Sequence, residues 1–151
     1  LLLLCKCLLT PRVTTEGAQW ASCDAIDAAA DFAEKRAKGV IGMIPGQIIT
    51  EDRGYAEGVD LQKDILKMAV IERHKYTGHI GIGYLNGYGL KEGAVATSVS
   101  HDSHNIICVG ANDADMALAA NRVAENHGGI VVMDHGEIKG EVVLILVVVF
   151  V

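Results

Sequence analysis

Ala94 to Gly110 reads AVATSVSHDSHNIICVG, and the reading of these residues decides the fold. Two apolar runs, Ala94–Val99 and Ile106–Val109, flank a polar stretch that packs two histidines, an aspartate and an asparagine into His101–Asn105. Apolar runs of four to six residues with β-branched side chains predict strands, and the polar residues between them predict the loop that joins them. Chemistry-bearing side chains on a loop held by a rigid sheet are well placed for function. Imidazole transfers protons and binds metals near neutral pH, and Asp102 is placed to orient one ring. The same residue types also build plain turns. A metal site made by this loop alone is disfavoured, because zinc and manganese sites need three or four ligands, which would have to come from His74, His79, His127 or His135.

Working outward on the C-terminal side, Asn112 or Asp113 caps a helix reaching about Asn126, with Met116, Ala119, Ala120 and Val123 on its buried face. His127-Gly128-Gly129 stops it. Ile130–Met133 then predicts a strand, Asp134–Glu137 a turn, and Ile138 onward a last strand.

On the N-terminal side, Gly78–Gly89 is dense in glycine but lacks the spacing of a dinucleotide fingerprint; a strand with a hairpin turn at Asn86-Gly87 is expected. Asp60 to about Lys75 reads as a helix, with Leu61, Ile65, Met68 and Ala69 on one face and His74 solvated or dipole-stabilised near its end. Glu51–Gly58 is charged and reads as a surface loop. Val40–Ile44, Pro45-Gly46 and Gln47–Thr50 read as strand, turn, strand. Ser22 or Asp24 caps a further helix to about Lys38, with acids in its first turn and bases in its last, as the helix dipole prefers. The fold class is therefore α/β (mixed α+β), a mixed sheet flanked by about three helices. The chain divides into an N-terminal segment, 1–39, and a domain over 40–151.

A chain of 151 residues suffices for one core. Its net charge of −6, without a basic cluster, argues against nucleic-acid binding. Four cysteines at positions 5, 7, 23 and 108 lack CxxC spacing, which favours free thiols in a reducing, cytoplasmic compartment. The apolar ends, Leu1–Leu9 and Val142–Val151, are each too short to cross a bilayer of roughly 30 Å as helices, so no membrane span is expected. The first lacks the features of a signal peptide. The second fits a buried strand, paired within the domain or across a homo-oligomer.

VIGMIPGQIIT (Val40–Thr50), DILKMAVIERH (Asp64–His74) and GYGLKEGAVATSVSHDSHNIICVGANDADMALAANRVAENHGGIVV (Gly87–Val132) occur in order. Together they resemble the C-terminal region of adenine deaminases of the amidohydrolase superfamily, with HDSHNI followed by VG-x-ND-x-DMA as the most specific element. The resemblance implies hydrolytic deamination of adenine to hypoxanthine and ammonia by the whole enzyme. It also implies a manganese or iron pair held by a preceding barrel, with that barrel as the partner of this domain and adenine as the substrate. This chain has no H-x-H pair and too few residues for such a barrel of about 250. No metal ligand, catalytic residue or cofactor is therefore assigned to it. His101, Asp102, His104 and Asn105 match the family motif and are the candidates for a loop facing the active site. The isolated chain is expected to be inactive. Two alternatives stay open: a stand-alone metal-binding module using His101 and His104, and a non-catalytic oligomerising domain.

Overall fold

The structure is a computed structural model that describes residues 38–74, 77–101 and 103–144. Eight strands and one helix follow in the order β1 (Lys38–Met43), β2 (Thr50–Ala56), β3 (Ile65–Ile71), β4 (Ile80–Asn86), β5 (Ala94–Thr97), β6 (Ile106–Gly110), α1 (Asp113–Glu125), β7 (Gly129–Asp134) and β8 (Glu137–Val143). They form a single sheet in the order β2-β1-β4-β3-β6-β5-β7-β8. Neighbours pair antiparallel except β1 and β4, which run parallel, so the sheet is mixed. The α/β class is as expected.

The number of helices is not. Among the described residues there is one helix. The helix read from Ser22 lies outside the described residues, apart from Lys38, which begins β1. Asp60 to about Lys75 is not a helix: after a tight turn closed by the Asp60 carboxylate on the Gln62 and Lys63 amides, Ile65–Ile71 is a central strand. Its apolar residues are consecutive because both its faces are covered, so strict alternation is lost. Ala69 and Ile71 face α1, while Leu66, Met68 and Val70 join Leu85, Ile107 and Val109 in a second cluster on the opposite side.

Three further readings are corrected. Glu51–Gly58 is mostly strand: β2 spans Thr50–Ala56 and is charged and exposed because it is an edge, where charge discourages further pairing. Gln47–Ile49 is loop, so the predicted strand, turn, strand unit is real but its second strand starts at Thr50. The chain does turn at Gly87, whose φ is +90°, but β4 pairs with β3 and β1 and not with β5, so no hairpin crosses Asn86-Gly87. The Asn86 amide donates instead to the carbonyls of Lys63 and Asp64.

The C-terminal half follows its local signals closely. Asn112 caps α1 by accepting from the Asp115 amide at 2.8 Å, with Asp113 and Asp115 in the first turn, where the dipole favours acids. Met116, Ala117, Ala119, Ala120 and Val123 pack against Ala94, Ala96, Cys108 and Val131. Small residues on both surfaces let the helix lie close. At Gly110 the approach is tightest: a Cβ there would fall 2.3 Å from Met116 Cγ.

Candidate functional site

Because β5 and β6 are antiparallel neighbours, residues 98–105 form a loop at one end of the sheet, beside the C-terminal end of β3. Its base is held on one side by Ser98, whose amide and hydroxyl pair with the carbonyl and amide of Gly129 at 3.0 and 2.9 Å. The loop closes on itself through the His104 amide, which donates to the Ser100 carbonyl at 2.6 Å, and the Asn105 amide, which donates to Ser103 Oγ at 3.3 Å. His104 takes φ +50°, a left-handed conformation uncommon for a side-chain-bearing residue and consistent with a tight turn.

Two residues outside the predicted loop hold it from below. Arg73, only 5% exposed, donates from Nε to the His104 carbonyl. His74 Nε2 lies 2.7 Å from the Ser103 carbonyl, and because a carbonyl only accepts, that nitrogen must carry the proton. His74 therefore supports the loop from just beyond a strand end and does not terminate a helix. Burial, followed by the charge of Arg73, lowers the His74 pKa, so the neutral ring is favoured. Arg73 is itself lowered by burial, partly offset by Glu72. The only sequence signal for this support was a basic pair closing an apolar run, and the helix reading of that run obscured it.

The structure separates the predicted site residues. His101 is exposed at the loop tip, whereas His104 is half-buried and Asn105 is 6% exposed. Asp102 lies outside the described residues. His104 Nδ1 and Asn105 Oδ1 are shielded from solvent without a hydrogen-bond partner among the described residues. Neither His101 nor His104 joins a set of three metal-capable side chains among those residues; the set that does form is Glu92, Asp134 and His135, at the other end of β5. No step through a metal is assigned to the loop.

These features define a small mixed α/β domain that presents one polar loop on a braced base. Residues 47–147 match the family model of the adenine deaminase C-terminal domain, and the chain belongs to that family. Adenine deaminase 1 of Rhizobium meliloti is 52% identical over 126 residues, covering 77% of this chain and 22% of that protein. Adenine deaminase 1 of Agrobacterium fabrum is 51% identical over 112 residues, 70% and 20% of the two chains. Adenine deaminase of Brucella melitensis biotype 1 is 50% identical over 111 residues, 69% and 19%. The chain thus spans about a fifth of the length of the curated relatives it matches.

Proposed function

We propose that this chain acts as the C-terminal domain of an adenine deaminase, and that it offers His101, Asp102, His104 and Asn105 to the active site of a preceding barrel. The whole enzyme in this reading hydrolyses adenine to hypoxanthine and ammonia. Manganese or iron held by the barrel would supply the activated water. The domain's own part is to position: an exposed imidazole on a braced loop can orient substrate or relay a proton without binding metal.

The observation that carries the reading is the division within the loop. Its tip exposes His101, while Ser100, Asn105, Arg73 and His74 fix its base. Arg73 from its buried guanidinium and His74 from its half-buried neutral ring both donate to backbone carbonyls of the loop, which holds the base rigid beneath the exposed tip. His104 Nδ1 and Asn105 Oδ1, shielded from solvent without a partner among the described residues, add support, since such atoms are normally satisfied.

The reading includes a cytoplasmic setting, for which the free thiol of Cys108 is the support. It also includes a homo-oligomer, for which the place of β8 at the edge of the sheet is the support. No helix among the described residues is long and apolar enough to cross a membrane.

The test is ammonia release from adenine with added manganese or iron. The isolated chain should give none above background, and the enzyme that includes the barrel should turn over and lose turnover on His101→Ala. Steady turnover by the isolated chain, abolished by chelation, would overturn the proposal.

A further inference from the structure

At the end of the sheet away from the histidine loop, two connections meet. Glu92 lies between β4 and β5, and Asp134-His135 begins the turn between β7 and β8. One ligand atom from each of Glu92, Asp134 and His135 lies within 4.8 Å of the other two. We infer that these three side chains form a binding site for a divalent first-row transition ion, which ties the two connections together.

The chemistry of the donors carries this. Two carboxylates and an imidazole are an oxygen and nitrogen set suited to manganese, cobalt, nickel or zinc, completed by water. Asp134 Oδ1 and His135 Nδ1 are 2.8 Å apart. Asp134 Oδ1 has almost no solvent contact and no aligned hydrogen bond among the described residues, and its approach to His135 is an ion pair only when that ring is protonated. With the ring neutral and its proton on Nε2, the two facing lone pairs stand as adjacent ligands do: at bonds of about 2.1 Å and octahedral right angles such atoms are roughly 3 Å apart. Ligands opposite each other across an ion span about 4.2 Å. Closing a separation of at most 4.8 Å to that distance asks about 0.6 Å or less of the Glu92 side chain.

The backbone beneath is fixed by contacts that the ion would not have to create. The Asp115 carboxylate accepts from the amides of His135 and Gly136 at 3.1 and 2.8 Å, tying the β7–β8 turn to α1. Gly93, at φ +72°, lies so close to β7 that a Cβ would fall 2.3 Å from the Met133 carbonyl oxygen, which keeps Glu92 beside that turn. The competing cation is Lys139, whose ammonium sits 2.8 Å from Glu137 and is raised chiefly by that carboxylate, with smaller contributions from Asp134 and Glu92.

The experiment is titration of the full 151-residue chain with Mn²⁺, following the loss of the free-ion electron paramagnetic resonance signal; manganese is chosen because thiolates bind it poorly. One ion per chain is expected, with affinity reduced at least tenfold in Glu92→Gln and in His135→Asn. Asparagine tolerates the positive φ of position 135, +51°, so the second variant keeps the turn. A melting temperature that rises with Mn²⁺ in the parent chain, and not in either variant, is the second expected result. Absence of binding, or binding that both variants leave unchanged, would overturn the site and leave a surface ion-pair cluster around Lys139.

Discussion

His74 Nε2 stands 2.7 Å from the carbonyl oxygen of Ser103, so a ring at the end of one central strand braces a loop 29 residues further along the chain. The ring is half-buried beside Arg73, and its pKa is depressed by burial and by that charge. A depressed folded value means that the unfolded chain binds more protons in this range. The stabilisation is therefore full above the unfolded value of 6.5 and is lost as pH falls through the folded one. Urea unfolding midpoints should drop between pH 7 and pH 5 more steeply for the parent than for His74→Gln. Equal slopes would show that His74 is not a protonation liability.

Arg73 and His101 should behave oppositely. Arg73→Met removes the buried donor to the His104 carbonyl and should cost about 1.5–3 kcal/mol in urea unfolding. His101→Ala, at the exposed tip, should stay within about 0.5 kcal/mol of the parent. In the barrel-containing enzyme His101→Ala should lower turnover with the melting temperature unchanged. A His101 variant that melts early while turning over normally per folded molecule would reverse the assignment.

Asp115 ties α1 and its cap to the β7–β8 turn. Burial alone would raise its carboxyl, but the Asn112 side chain and the Gly136 and His135 amides together hold it below the ordinary carboxylate value. Asp115→Ala should cost about 2–3 kcal/mol, since it strips an anion from a buried donor cluster. Because the folded value is depressed, this contribution is present above the ordinary value of 3.8 and vanishes as pH falls through the folded one. Acid titration of stability in parent and Asp115→Asn chains checks the sign: the parent should lose more on acidification.

Gly110 sits under Met116 with no room for a methyl group. Gly110→Ala should overpack the contact between β6 and α1 and cost about 1–3 kcal/mol. Pairing it with Met116→Ala, which makes space, should recover part of that loss beyond simple additivity in a double-mutant cycle.

Cys108 is fully buried, its thiol pushed well up by burial and its Sγ donating to the Met116 carbonyl at 3.4 Å. A thiol held protonated and shielded does not attack electrophiles. Iodoacetamide should leave the peptide containing Cys108 unmodified in the native chain and label it fully in urea, as read by mass spectrometry. Rapid native labelling would mean that the sheet opens at β6.

What the sequence makes legible is local. The α1 helix and its Asn112 cap depend on contacts between residues three or four apart, and so did the loop between Thr97 and Ile106, where strand-like runs bracket turn-forming residues. The three family-like blocks likewise belong to the sequence itself. Ile65–Ile71 was misread because its apolar residues satisfy a helical stripe as well as a doubly covered strand, and only pairing with β4 and β6 separates the two. Thr50–Ala56 was misread for the complementary reason: an edge strand is stabilised by hydrogen bonds to one neighbour and needs no buried stripe to mark it.

The candidate site divides in the same way. The sequence by itself determined which polar side chains sit together on the loop, and which motif they resemble. That Arg73 and His74 lie beneath it, that His101 points out while Asn105 is buried, and that Glu92 meets Asp134 and His135 were decided by tertiary structure alone. Each of these depends on strand order and register, set by the summed pairing and burial of residues far apart in the chain, and a local pattern of polar and apolar residues does not encode them.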